Sequence, residues 1–270
     1  MGYAEFLRLV MSKAKIGVSM FYCVGESFNR MVKRLDTHDT KYIELFDDAT
    51  HDLSKARIVQ LREVAKSYGL TYSVHAPFSD INIGSIIKPM LNASLKRLKQ
   101  SLLNASAIDA KMWVFHPAQR TGIGQFYPDA DFKNMCQSIE MLYTQAEELG
   151  VNISLENMPG KYWFLMSTPE EFRRLYRETS LPVGITLDLG HANLEGQVQP
   201  FIKELADKIV HIHASNNYGT DDQHNGIDEG NIDFVAFTDA LKKIGYDKTV
   251  VVESITNVPQ SIARLKQLLA

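Results

Sequence analysis

The amino-acid sequence predicts a single (β/α)8 barrel that spans residues 1–270. Short apolar runs recur along the chain, and each is followed by a longer stretch in which apolar side chains have helical spacing. Because most of these runs are apolar on both faces, they are typical of strands buried in a parallel sheet. Eight strand–helix units of about 30 residues each match the size of a closed barrel.

The eight predicted strands share a composition that is rich in Val, Ile and aromatic residues. A doubly wound open sheet is the alternative, but such a sheet normally has a Gly-rich phosphate loop after an early strand. The sequence contains no such loop, and this favours the barrel. In chain order the predicted strands are Lys15–Met20, Tyr42–Phe46, Leu70–His75, Met112–His116, Asn152–Glu156, Val183–Asp188, Ile209–His213 and Thr249–Glu253.

The segments between the strands show the signals of helices. Thr168 before Pro169 is typical of a helix start, and Glu171 completes a capping box. Residues 85–107 are polar on one side and rich in Leu on the other, which predicts an amphipathic helix. After the second strand, one helix face is predicted from the spacing of Ile58, Leu61, Ala65 and Tyr68. Three glycines before later strands are expected to take the left-handed conformation that ends a helix: Gly69, Gly150 and Gly245.

Composition and charge limit the class of protein. Hydrophobic residues make up 45% of the chain and charged residues 23%, which is typical of a globular protein. The net charge of −3 indicates no general basic surface for nucleic acid. No run approaches the length of a membrane helix, and the N-terminal residues do not resemble a secretory signal. Cys23 and Cys136 fit no metal-ligand spacing, so we expect reduced thiols and a cytoplasmic location.

Histidines and carboxylates cluster at the ends of the last six predicted strands. In a barrel, the C-terminal strand ends surround one mouth, so we expect these side chains to meet there. A single strand-end histidine is more often structural than a ligand, but six consecutive strands indicate a metal site. Mixtures of imidazole and carboxylate suit Zn, Mn, Fe or Co. The candidate ligands are His75, His116, Glu156, Asp188, His191, His213, Asp222, His224 and Glu253.

Short motifs surround these residues in strands two to eight. They are Ile43-Glu44-Leu45-Phe46, His75-Ala76-Pro77-Phe78, Phe115-His116-Pro117, Leu155-Glu156-Asn157, Leu187-Asp188-Leu189-Gly190-His191, His211-Ile212-His213, Asp222-Gln223-His224 and Val252-Glu253-Ser254. Taken together, the motifs resemble those of the xylose isomerase-like barrels, a superfamily of sugar isomerases, sugar epimerases and endonuclease IV. The resemblance covers most of the chain.

The resemblance implies a role for each candidate ligand by position. The family's single-metal quartet corresponds to Glu156, Asp188, His213 and Glu253. His75 and His116 match a second site that shares Glu156. His191, Asp222 and His224 match the third-metal group of the endonuclease branch.

The resemblance also implies the cofactor and the catalytic pair. We expect Zn or Mn, with one to three ions per chain. The family's epimerases use two glutamates as base and acid, which implies these roles for Glu156 and Glu253. His211 points the same way along its strand as His213, and its role stays open.

The expected function is a metal-dependent isomerase or epimerase that acts on a sugar or sugar phosphate. It would transfer a proton next to the carbonyl through a metal-stabilised enediolate. The main alternative is a zinc phosphodiesterase acting on abasic-site DNA, and a barrel that has lost catalysis is a third. The acidic pair Asp47-Asp48 after strand two argues against DNA, because acid would repel a phosphate backbone. One divalent ion leaves the nine ligands negative, which suits a neutral polyol, whereas three leave them positive, which suits a phosphodiester.

Six residues are expected to contact the substrate. His75, His116 and His191 lie at the expected mouth. Arg120 and Lys161 follow strands four and five and would hold a phosphate, although a solvated loop charge is the alternative for each. Trp163 would stack on a sugar face. The expected partner is a small sugar, with no membrane contact, nucleic acid disfavoured but not excluded, and a homo-oligomer left open.

Overall fold

Each strand of the sheet pairs in parallel with the strand that follows it in the chain, and the last pairs with the first. A computed structural model describes residues 13–270. Its closed eight-stranded barrel confirms the predicted fold class. The strands are β1 (Lys15–Ser19), β2 (Tyr42–Phe46), β3 (Thr71–His75), β4 (Trp113–Phe115), β5 (Ile153–Glu156), β6 (Gly184–Asp188), β7 (Ile209–Ala214) and β8 (Thr249–Val252).

Helices follow the strands and cover the outside of the barrel. Within residues 13–270, no helix is both long and apolar enough to cross a membrane. The α-helices of this range are α1 (Phe28–Val32), α2 (Lys55–Tyr68), α3 (Lys88–Ala107), α4 (Ala130–Leu149), α5 (Pro169–Thr179), α6 (Leu189–Leu194), α7 (Val198–Leu205), α8 (Phe234–Lys243) and α9 (Val258–Leu269). Short 3₁₀ segments lie at Met20–Cys23, Ala49–His51, Gly122–Phe126, Gly160–Tyr162 and Ala206–Lys208.

The helix boundaries largely follow the predicted signals. The Thr168 hydroxyl accepts from the backbone N–H of Glu171 at 3.4 Å, as an N-cap does. The Glu171 carboxylate accepts from the N–H of Ser167 at 2.7 Å, one residue earlier than in a capping box. Helix α3 begins three residues later than expected, and Pro89 occupies its first turn, where no N–H is needed. The three predicted terminal glycines have φ near +65°: Gly69, Gly150 and Gly245.

One predicted helix face is narrower than expected. Ile58 and Leu61 of α2 are buried against the barrel, whereas the Tyr68 side chain is 48% exposed. Tyr68 is the last residue of α2, where the backbone reverses through Gly69, so its ring does not continue the buried face.

Strand residues alternate between the helix layer and the barrel interior. Outward residues such as Leu45 and Val74 are fully buried in the apolar core that the strands share with the helices. The interior positions are polar for a barrel core: Ser154 and Thr186 are hydrogen-bonded hydroxyls, and Glu44 is fully buried. Charged and polar groups therefore fill the interior directly below the C-terminal mouth.

A β-bulge in β7 sets the register of its two histidines. Ile185 of β6 pairs with Ile209, but the next residue, Thr186, pairs with His211, so Val210 is the extra residue. A Cβ at Gly184 would lie 2.4 Å from the Val210 side chain, so a glycine is needed beside the bulge. As a result, His213 lies directly opposite Asp188.

Candidate metal centre

A cavity of about 290 Å³ opens at the C-terminal ends of the strands. Its lining divides into an aromatic set and a polar set. The aromatic residues are Phe21, Phe46, Phe78, Tyr162 and Phe164. The polar residues are His75, His116, Glu156, His191, Asp222, His224 and Glu253.

Four of the predicted ligands converge in one buried group. Glu156, Asp188, His213 and Glu253 each offer a ligand atom, and these atoms lie within 4.8 Å of one another. Nδ1 of His213 is 3.3 Å from Glu156 Oε1, 3.2 Å from Glu253 Oε2 and 3.9 Å from Asp188 Oδ2. Oδ2 of Asp188 is buried and has no hydrogen-bond partner. A set of three carboxylates and one imidazole, one of whose oxygens is buried without a partner, fits a divalent metal ion.

The charges of this group explain its proton affinity. Burial lowers the pKa of His213, but the carboxylates of Glu253, Glu44 and Glu156 raise it well above its ordinary value. Burial raises the pKa of Asp188 to about 6, and the nearby carboxylates add to this effect. Closely spaced buried carboxylates favour the binding of protons as well as of a cation, so metal and protons would compete for this group.

His75 at the end of β3 and His116 just after β4 both approach Glu156 at the end of β5. Nε2 of each ring lies 3.3 Å from Glu156 Oε2, while Oε1 faces His213. Nδ1 of His75 donates to the carbonyl of Ala76 at 2.8 Å, so Nε2 is the nitrogen directed at the carboxylate. Glu156 therefore lies between two groups of predicted ligands.

The remaining predicted ligands form a third group. Nε2 of His191 and Nε2 of His224 lie 3.1 Å and 3.0 Å from the same oxygen, Asp222 Oδ2. His224 has a φ of +47°, which is strained for a residue other than glycine. Its carbonyl accepts from the N–H of Ile255 at 2.7 Å, which helps to hold this conformation. Seven of the nine predicted ligands thus line the cavity, and the other two, Asp188 and His213, are fully buried and lie next to them.

Sequence reasoning did not assign a role to Glu44. Its Oε2 lies 2.9 Å from His211 Nε2 and accepts from the Ser73 hydroxyl at 3.0 Å. Its Oε1 lies 2.9 Å from His213 Nε2. The sequence did contain a signal for such a role, because Glu44 is a carboxylate in an otherwise apolar strand. A buried charge needs a partner, so Glu44 could have been expected to pair with a residue of the site.

Three predicted substrate contacts lie outside the cavity. The Arg120 guanidinium lies 3.6 Å from Glu171 in the first turn of α5, and the Lys161 ammonium lies 3.2 Å from Asp221 in the loop after β7, so both cations have carboxylate partners. Trp163 is 58% exposed, while the residues on either side of it line the cavity. Its φ of +68° ends the short 3₁₀ segment, and the residue lines a separate cleft together with Arg120 and Glu171.

The acidic stretch after β2 also differs from expectation. Asp47 is fully buried, lies 3.0 Å from Arg97 Nη2 and accepts from the N–H of Leu53 at 2.7 Å. Asp48 accepts from the N–H groups of Phe78 and Ser79 at 3.1 Å and 2.9 Å. Asp47 is therefore buried and paired with Arg97, and only Asp48 keeps a partly exposed negative charge. This stretch argues less strongly against a phosphodiester substrate than its sequence suggests.

The buried Asp47 pair predicts a large stability effect. Asp47→Ala leaves Arg97 without its partner, and we expect it to lower the free energy of unfolding by about 3 kcal/mol. Urea denaturation followed by circular dichroism measures the change. The exposed pair of Asp52 and Arg57 supplies the control, because Asp52→Ala should cost less than about 1 kcal/mol. Equal losses in the two variants would contradict this interpretation.

Comparison with known proteins agrees with this geometry. The family described as xylose isomerase-like TIM barrel matches residues 32–268. An uncharacterized protein of Methanocaldococcus jannaschii is 32% identical over 244 residues, which cover 89% of this chain and 83% of that protein. A crystal structure described as a D-tagatose 3-epimerase-like protein is 31% identical, with a TM-score of 0.88 over 94% of this chain and 97% of that chain.

Two relatives that are named for an activity match shorter stretches. A ketose 3-epimerase of Arthrobacter globiformis is 29% identical over 131 residues, or 47% of this chain and 43% of that protein. A probable endonuclease 4 of Latilactobacillus sakei is 26% identical over 180 residues, or 60% of this chain and 58% of that protein.

Proposed function

We propose that this chain, which belongs to the family of xylose isomerase-like TIM barrels, is a divalent-metal-dependent epimerase or isomerase of free ketoses. The observation that carries the proposal is the pair Glu156 and Glu253. Each has an oxygen within 3.3 Å of the same atom, His213 Nδ1, and both residues line the cavity. Two carboxylates so placed can remove a proton from a sugar carbon and return it.

The quartet of Glu156, Asp188, His213 and Glu253 would hold the ion. A divalent ion there would supply Lewis-acid stabilisation of the charge that develops on the sugar oxygens as the proton leaves. Glu156 and Glu253 would serve as base and acid, and the aromatic wall would exclude water from the reacting carbon. The names of the solved D-tagatose 3-epimerase-like relative and of the ketose 3-epimerase support a ketose substrate.

The lining of the cavity favours a sugar without phosphate. Among residues 13–270, the cavity lining includes no Lys or Arg. A phosphate placed there would face Glu156, Asp222 and Glu253 without the guanidinium or ammonium partner that phosphate sites use. The partly buried rings of Phe21 and Phe78, which line the cavity, instead offer an apolar surface to the C–H face of a sugar.

Proton exchange from solvent tests the proposal. Zn²⁺- or Mn²⁺-loaded protein is incubated in D₂O with free ketoses and with the corresponding 6-phosphates, and deuterium at the carbon next to the carbonyl is measured by mass spectrometry. We expect exchange with a free ketose, and a kcat/KM lower by roughly 100-fold or more for its phosphate because of the unpaired charge. Chelator-treated protein is the control. Faster exchange with the phosphate would overturn the assignment of a free sugar.

An abasic-site phosphodiesterase is the second candidate function. It is favoured by the two further groups, His75–His116–Glu156 and His191–Asp222–His224, each of which could hold an ion. Clustered zinc ions can generate hydroxide and stabilise a leaving phosphate oxygen. The likeness to a probable endonuclease 4 agrees with this candidate, and the metal content per chain separates the two.

A further inference from the structure

Glu44 is a fully buried carboxylate that lies one inward-facing position deeper than the cavity wall. Its neighbours are two imidazoles and a hydroxyl: His213 at Oε1, and His211 and Ser73 at Oε2. No Lys or Arg is among these contacts. The His211 ring and the Ser73 hydroxyl hydrogen-bond Oε2, whereas Glu44 Oε1 and His213 Nε2 are both buried without an aligned hydrogen bond. Burying such polar atoms is costly unless they find partners, and these two, 2.9 Å apart, can satisfy each other.

The candidate ligand histidines differ in how the second ring nitrogen is held. Three of them donate Nδ1–H to a main-chain carbonyl, which leaves Nε2 for the ligand group. These pairs are His75 to Ala76 at 2.8 Å, His191 to Asn157 at 2.9 Å and His224 to Glu253 at 3.2 Å. His213 has the opposite arrangement, because Nε2 faces Glu44 and Nδ1 faces Glu156 and Glu253. The orientation of this ring therefore depends on a side chain.

We propose that Glu44 is a positioning residue that holds Nε2–H of His213 and so leaves Nδ1 as the nitrogen available to the metal. This inference rests on the proposed metal site. A carboxylate behind a ligand histidine fixes the ring and makes it a stronger ligand. His211 is then not a ligand: its Nε2 pairs with Oε2 at 2.9 Å, which leaves Oε1 to face His213.

The substitution Glu44→Gln tests this role by metal affinity. A glutamine amide can either accept from or donate to the His213 ring, so it no longer selects one nitrogen. We expect the dissociation constant for Zn²⁺, measured by competition with a chromogenic chelator, to rise by about 10- to 100-fold. The control is Ser73→Ala, which removes a donor from Oε2 but leaves the contact with His213. Its affinity should stay within about threefold of the wild type, because the ligand ring keeps its partner.

A spectroscopic measurement identifies which nitrogen of His213 binds the metal. In wild-type protein with ¹⁵N-labelled histidine and bound ¹¹³Cd²⁺, we expect the cadmium coupling at Nδ1 of His213 and a proton on Nε2. Coupling through Nε2, or unchanged Zn²⁺ affinity in Glu44→Gln, would overturn the role of Glu44 alone. A wild-type chain that binds no divalent ion would instead overturn the proposed metal site. If Glu44→Gln does not fold, the wild-type spectrum decides.

Discussion

Replacing Glu253 by glutamine is expected to stop exchange of the sugar proton with solvent while the sugar still binds. Glutamine has nearly the shape of glutamate, but its amide cannot accept the proton from carbon. Loss of a general acid–base group predicts a fall in kcat of about 10³-fold. Deuterium incorporation measures the exchange, and calorimetry with the metal-loaded variant measures sugar binding.

The interpretation of this variant depends on its metal content, because Glu253 also belongs to the quartet. Exchange is therefore measured in excess metal, with the bound ion counted by elemental analysis. Glu178→Gln provides the matched control, since Glu178 lies on α5 and pairs with Arg174 away from the cavity. Exchange that persists in metal-loaded Glu253→Gln would exclude Glu253 as base or acid.

Replacing Asp188 by asparagine is expected to release the metal without disturbing the turn that follows β6. Asp188 Oδ1 accepts from the N–H of His191 at 2.6 Å, and the amide oxygen of asparagine can keep this bond. Oδ2 has no hydrogen-bond partner and is the oxygen that a cation would use. Because a ligand and a negative charge are both lost, we expect the affinity for the metal ion to fall by more than about 100-fold. This exceeds the loss expected when a residue that only hydrogen-bonds to a ligand is replaced.

Elemental analysis of protein purified without chelator or affinity metal measures this effect. We expect one divalent ion per wild-type chain and almost none in Asp188→Asn. The exposed Asp207 supplies a control, because Asp207→Asn should keep the wild-type content. Full metal content in Asp188→Asn would contradict the quartet as the binding site.

The number of metal ions per chain also separates the two candidate functions. With one ion the ligand set stays negative, as a neutral ketose requires, and Glu44 adds a buried carboxylate that the sequence-based count omitted. Three tightly bound zinc ions would make the mouth more positive and favour the phosphodiesterase. Nicking of abasic-site DNA would then be the decisive assay.

The sequence alone was sufficient for the barrel and for placing the candidate ligands close together. Period and length of the apolar runs specify buried parallel strands, and the C-terminal ends of such strands must surround one space. His75, Glu156 and Asp188 could therefore be placed together although each is far from the others in the chain. Helix ends were also predictable at residues such as Thr168 and Gly69, where the cap is a local interaction.

The tertiary structure decided which atoms of those residues meet. Glu44 and His211 are 167 positions apart, and the bulge at Val210 determines that His213 lies opposite Asp188. Strand periodicity assigns a side chain to a face, but the partner of each nitrogen or oxygen depends on packing between distant segments. For the same reason, only the folded chain shows that Arg120 and Lys161 pair with the carboxylates of Glu171 and Asp221 and do not line the cavity.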